Sequence, residues 1–105
     1  MIENDNEKFD FEKNKTYFSS TNGLKIVSIN VRGLISTPNR QIALSKWLIA
    51  NDIDVCCVQE WCVHHQHVTC QFPIELFSEQ YHVVSSSLET AILYKKSLNI
   101  HWIEY

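Results

Sequence analysis

Two apolar segments, Leu24-Lys25-Ile26-Val27-Ser28-Ile29-Asn30 and Asp54-Val55-Cys56-Cys57-Val58-Gln59, flank a stretch with helical periodicity. That order constrains the fold more than any other feature. Each segment is far too short to span a bilayer, and both carry the branched side chains that suit a pleated surface. The first does not alternate strictly, as expected of a strand covered on both faces. Strand, helix and strand in succession make a βαβ unit, with two parallel strands in one sheet.

The helix between them has a readable start. Thr37 suits the N-cap and Pro38 the first helical position, and the periodicity runs to about Asn51. Ala43, Leu44, Trp47, Leu48 and Ala50 form the expected core stripe. Ile42 and Ile49 fall on the opposite side, which implies a second covering surface. Asn51-Asp52 end the helix.

Beyond Gln59, residues 61–74 read as irregular. Tyr81–Ser85 and Thr90–Tyr94 read as strands joined by a short polar link, a hairpin closed by Lys95-Lys96. Ile100–Ile103 would open a further strand. Residues 1–22 are polar with scattered aromatics and read as a disordered leader that docks loosely by Phe9, Phe11, Tyr17 and Phe18. Residues 23–105 are then the folded domain, of α/β (α+β) class: one mixed sheet with a β-α-β start followed by a hairpin.

Composition narrows the function classes. The 105 residues suffice for one domain. Nine basic and twelve acidic residues give a net charge of −3, split as −2 over residues 1–22 and −1 over residues 23–105. A protein gripping nucleic acid by charge alone shows a basic excess, so any polyanion must be met at a local site, where a metal ion is expected to carry the positive charge. The two glycines, Gly23 and Gly33, are too far apart for a glycine-rich phosphate loop. No signal sequence or membrane segment is visible. The expected compartment is therefore intracellular, nucleus or cytoplasm, with no membrane partner and no disulfide framework among Cys56, Cys57, Cys62 and Cys70.

Chemistry belongs at the carboxyl ends of the parallel strands, where open α/β sheets place their sites. Asn30 ends the first strand, and Glu60 follows Gln59 at the end of the second. A carboxylate suits a hard divalent cation, and an amide suits a phosphate oxygen or a positioned water. The same residues would also serve as plain turn and strand-end groups. Arg32, beside Asn30, is the best single candidate for a substrate-phosphate contact, against the alternative of a surface ion pair. A rival constellation, Cys62-x-His64-His65-x-His67-x-x-Cys70, could close a tetrahedral zinc site, although its spacing fits no usual finger; a solvated His-rich loop is the bland alternative. Trp47 reads as core. Trp61 reads as packing before stacking on a base or sugar. Lys95-Lys96 reads as an edge guard before a phosphate contact.

The stretch Leu24–Leu34, with Asn30-Val31-Arg32-Gly33-Leu34 at its end, resembles the opening motif of the endonuclease/exonuclease/phosphatase superfamily, which has the DNase I-like fold. Asp52–Glu60, ending in Gln59-Glu60, resembles that superfamily's second motif. Ala91–Leu98 is similar to the strand after its hairpin. The likeness spans roughly residues 24–105 and comprises three motifs in order. The Val-Arg-Gly-Leu form leans toward the non-LTR retrotransposon endonucleases, which accompany reverse transcriptases; apurinic/apyrimidinic endonucleases are also similar. The resemblance implies Mg²⁺- or Mn²⁺-dependent phosphodiester hydrolysis acting on nucleic acid, DNA before RNA. It implies Glu60 as the metal ligand, Asn30 at the scissile phosphate or metal-bound water, and Gln59 as a supporting neighbour on the substrate side.

The departures are as informative. The family's later Asp-x-Asn and Ser-Asp-His segments supply the nucleophile-orienting Asp, a phosphate-binding Asn and the catalytic His. Neither segment is found here, and no Asp follows Asp54. The resemblance is thus to the N-terminal half of the domain, with the second sheet absent. The expectation is an endonuclease-type domain inactive as this chain alone. The alternative class is a non-catalytic remnant or interaction module that binds a partner or self-associates through an uncovered apolar sheet face.

Overall fold

A computed structural model of the chain describes residues 9–19, 23–35, 37–62, 71–85 and 89–98. These form one mixed five-stranded sheet and two helices, the α+β class expected. In chain order the strands are β1 (Lys15–Ser19), β2 (Lys25–Asn30), β3 (Val55–Gln59), β4 (Tyr81–Ser85) and β5 (Thr90–Lys95). Helix α1 is Pro38–Ala50 and helix α2 is Ile74–Phe77. The spatial order is β1-β2-β3-β5-β4. β2 and β3 are parallel, with Asn30 opposite Gln59, and the other pairs are antiparallel.

The βαβ unit and the hairpin stand where the pattern put them. The leader does not. A 3-10 turn at Phe11–Asn14 leads into β1, which pairs with β2 from Lys15 opposite Ile29 to Ser19 opposite Lys25. One local and one tertiary cause outweigh the polar composition. Asp10 caps the turn, its carboxylate accepting from the Lys13 N–H at 3.2 Å. Phe11 is buried against Trp47, with ring centroids 5.8 Å apart, and Phe9 packs edge-on to Phe11 at 5.1 Å. Residues 1–8 and the strand expected at Ile100–Ile103 lie outside the described residues.

Helix α1 starts and stops as read, but two details differ. Thr37 stands at the N-cap without capping; its hydroxyl instead donates back to the carbonyls of Gly33 and Leu34, both at 3.2 Å. The core stripe is also narrower than expected. Leu44 and Leu48 are buried and Trp47 is half-buried, while Ala43 and Ala50 are exposed. Ile42 and Ile49 lie bare, at 44% and 47% exposure. The C-terminus closes by a Schellman pattern: Ile53 N–H donates to Leu48 at 3.0 Å and Asp52 N–H to Ile49 at 3.1 Å. Asp52 takes the left-handed conformation this requires, φ 55°.

The core lies on one face of the sheet. Val27 and Ile29 of β2, Cys56 and Val58 of β3, Ala91 and Leu93 of β5 and Tyr81 of β4 share a face with Leu44, Leu48, Phe72 and Phe77. Both helices contribute to this one cluster. Strand alternation places Ile26, Val55, Cys57, Ile92, Tyr94, His82 and Val84 on the other face. The Tyr81 hydroxyl bonds to the carbonyl of Ile53 at 2.7 Å and lies 3.4 Å from that of Leu48, tying β4 to the end of α1.

At the far end of the sheet, Lys95 pairs with Asp52 and, at 3.3 Å, with Asp54. The Asp54 carboxylate accepts from the Lys25 N–H at 2.7 Å. This brace aligns β2, β3 and β5 at the end opposite Asn30 and Glu60.

Candidate functional site

Parallel pairing brings Asn30 and Gln59 side by side at the carboxyl ends of β2 and β3. The pairing continues past both strands. Val31 N–H donates to Gln59 O at 3.0 Å, Gly33 N–H to Glu60 O at 2.7 Å and Leu34 N–H to Trp61 O at 2.9 Å. The loop after β2 and the segment after β3 are therefore stitched together, and Glu60 is exposed between them. On the hairpin side, Glu60 N–H donates to Glu89 O at 2.6 Å, which brings a second glutamate to the same sheet end.

Two residues here hold backbone that side chains avoid: Arg32 at φ 51° and Glu60 at φ 58°. Such positions persist only where surrounding contacts dictate them, and they concentrate at sites. The contacts are visible. Asn30 Oδ1 accepts from the Arg32 N–H at 2.9 Å, an Asx turn that folds the loop back over its strand. One Nη of Arg40 donates to the carbonyls of Val31, Arg32 and Gly33 at 3.1, 3.1 and 3.0 Å. Gln41 Nε2 donates to Leu34 O at 2.8 Å and Ile35 O at 3.2 Å. The first turn of α1 thus trusses the Arg32 loop.

Each expected site residue has a definite place. Asn30 is half-buried, and its Oδ1 is taken by the Asx turn. Gln59 is exposed, and its Nε2 donates to Ser28 Oγ at 2.7 Å, a bond across the sheet face. Arg32 is exposed, and its Nε donates to Asn14 Oδ1 at 3.2 Å. It has no carboxylate partner among the described residues. Trp61 is buried in the core, which decides for packing over stacking; its Nε1 has no hydrogen-bond partner among the described residues.

Two residues of the site were missed in the sequence. Arg40 had a signal: a cation in a helix's first turn opposes the helix dipole and needs a reason, here three loop carbonyls. Asn14 had a weaker one, the Asp10 cap that starts its turn.

Cys62 corrects the cysteine reading. It is buried and disulfide-bonded, whereas Cys56 and Cys57 are free thiols. A sulfur in a disulfide offers no thiolate to zinc, so Cys62 does not serve in the Cys62/His64/His67/Cys70 set. His64, His65, His67 and Cys70 lie outside the described residues. Among the described residues, no three His, Cys, Asp or Glu side chains gather as a metal-binding group. Nor is any described helix long and apolar enough to cross a membrane.

Comparison with known proteins finds no matching family model, no matching curated protein and no matching solved structure.

Proposed function

We propose that the end of the sheet at Asn30 and Glu60 is the metal- and phosphate-binding half of a Mg²⁺-dependent phosphodiesterase site, of the kind used by the endonuclease/exonuclease/phosphatase superfamily. The observation that carries the reading is the placement of Asn30, the last residue of β2, and Glu60, the residue after β3, at one end of two paired parallel strands, fixed by the Val31–Gln59 and Gly33–Glu60 bonds. An exposed carboxylate there gives a hard divalent cation an oxygen ligand, with water and substrate phosphate completing its shell. The Asn30 amide donates to a phosphate oxygen, and Arg32 offers cationic donors beside it. The metal stabilises the charge that develops as water attacks in line.

Hydrolysis also needs a group to orient that water. The described residues at this sheet end offer Glu60 and Glu89 but no Asp or His in that role. The chain on its own therefore binds metal and phosphodiester without turnover. The test is a plasmid-nicking assay beside a Mg²⁺-dependent DNA-binding assay. Binding that Mg²⁺ strengthens, with that Mg²⁺ increment lost in Glu60→Gln, supports the reading, with nicking at background. Robust nicking abolished by Glu60→Ala would keep the site and overturn the claim of inactivity. Binding indifferent to both Mg²⁺ and Glu60 would overturn the site.

The second reading is an interaction module, and one observation favours it. The sheet face opposite the helices carries Ile26, Val55, Cys57, Ile92 and Tyr94, with Val84 at 39% exposure. Apolar side chains that neighbour one another across that face suit a protein partner or a second copy of the chain. Concentration-dependent light scattering tests self-association directly.

A further inference from the structure

The phosphodiesterase reading takes no residue from the N-terminal segment, yet the structure brings that segment to the site. Asn14 closes the 3-10 turn, and its Nδ2 donates to the Asp10 carbonyl at 2.8 Å. That bond fixes the amide and leaves Oδ1 to accept from Arg32 Nε at 3.2 Å. The Arg32 backbone is held independently by Asn30 Oδ1 on its N–H, at 2.9 Å, and by Arg40 on its carbonyl, at 3.1 Å. Both ends of Arg32 are therefore anchored, and the long stem between them loses most of its freedom. With Nε occupied, the end-on fork of two Nη groups is the part of the guanidinium with no partner among the described residues.

A fork of that shape matches two oxygens of a single phosphate group. The acidic balance of the whole chain gives a polyanion no diffuse attraction, so one oriented cation carries weight. Two other cations are engaged. Lys15 pairs with Glu12 at 2.7 Å, and Arg40 holds three carbonyls while stacking on Phe9 at 4.6 Å.

We propose that Asn14 is a positioning residue that sets Arg32 to grip a phosphate group of a nucleic-acid strand, which makes the N-terminal segment part of the binding site. This rests on the phosphodiesterase reading for the choice of ligand, but not for the metal.

The probe is a short fluorescein-labelled single-stranded DNA, read by anisotropy against the full chain, in EDTA and again in Mg²⁺. Arg32→Ala is expected to weaken metal-free binding by about tenfold. Asn14→Ala is expected to weaken it by about threefold, and the double variant to bind no worse than Arg32→Ala alone. NMR supplies a readout that general loosening would not mimic: in Asn14→Ala the Arg32 Nε–H should exchange faster while backbone amides of β2 and β3 keep their shifts. Arg32→Lys, which keeps charge without the fork, should resemble Arg32→Ala.

Asn14→Ala binding as the parent does, or independent losses that multiply in the double variant, would overturn the proposal. So would an absence of metal-free binding in the parent. Loss of the Mg²⁺ increment in Glu60→Gln separates the two ideas, because it reports on the metal site whether or not Asn14 matters.

Discussion

The Gly33 N–H donates to the Glu60 carbonyl at 2.7 Å, one step beyond the last paired residues of two parallel strands. That bond joins the two loops that carry Arg32 and Glu60, the residues on which the functional reading depends. Both take left-handed backbone, and both are held there by neighbours rather than by preference.

The cost of that conformation gives the first prediction. Glu60→Gly should raise stability by about 0.5–1 kcal/mol, because glycine takes φ 58° without a Cβ clash. It should also abolish Mn²⁺ binding. Glu60→Gln should lose the metal without gaining stability. Urea denaturation beside metal titration separates the two effects.

Arg40 is a structural linchpin of the site, although it never touches the proposed ligand. Removing it strands the carbonyls of Val31, Arg32 and Gly33 beneath the loop. Arg40→Met should destabilise the fold by about 2–3 kcal/mol, the scale of charge-assisted hydrogen bonds. Arg40→Lys should recover only part of this, since one ammonium cannot match the planar donor set and its stacking on Phe9. Thermal melts of the three proteins decide it.

Thiol chemistry reads out the two faces of the sheet. Cys56 is fully buried, and burial pushes its thiol well above the ordinary range. Cys57, the next residue, points to the opposite face and is half-buried. Iodoacetamide on the native protein should therefore label Cys57 and spare Cys56, with Cys62 recovered as a disulfide by peptide mapping. Protection of Cys57 that grows with protein concentration would show that self-association covers this face.

The pH limbs of stability should follow two groups. Burial pushes the Tyr81 hydroxyl up to about 12 from an ordinary value of 10.0. A raised folded value means stability that is intact below pH 10 and is lost as the pH climbs toward 12. Tyr81→Phe should flatten that alkaline limb and cost about 1 kcal/mol near neutrality, for the bond to Ile53. On the acid side, its hydrogen bond and charge pairing with Lys95 hold Asp52 below the usual carboxylate range. That contribution is present above the ordinary range and fades as pH falls through the lowered value. Asp52→Asn should blunt the acid limb.

What could be read from the chain alone follows from how local each signal was. Pro38 at the helix start, Asn51-Asp52 at its end and the two apolar strands are cues confined to a few residues, and the structure carries each of them. Asn30 and Glu60 could be placed at one sheet end because parallel pairing leaves little freedom in where strand ends meet. The 3-10 turn and β1 were hidden because their stabilisation is tertiary: Phe11 gains its burial from Trp47, which is remote in sequence. Ala43 and Ala50 were assigned to the core by periodicity, but the helix rests on the sheet along the narrow line of Leu44 and Leu48. The Asn14–Arg32 bond was hidden for the same reason as β1, since it joins the segment read as a disordered leader to the loop after β2.

The most direct test of the central claim is a Mn²⁺ titration of the ¹⁵N-labelled chain, followed by paramagnetic broadening of backbone amides. Broadening centred on Glu60, and reaching Asn30, Val31, Arg32 and Gly33, is the predicted result, and Glu60→Gln should remove it. Broadening centred instead on Asp52 and Asp54, or spread evenly over the acidic surface, would contradict the assignment of a metal and phosphate site to this end of the sheet.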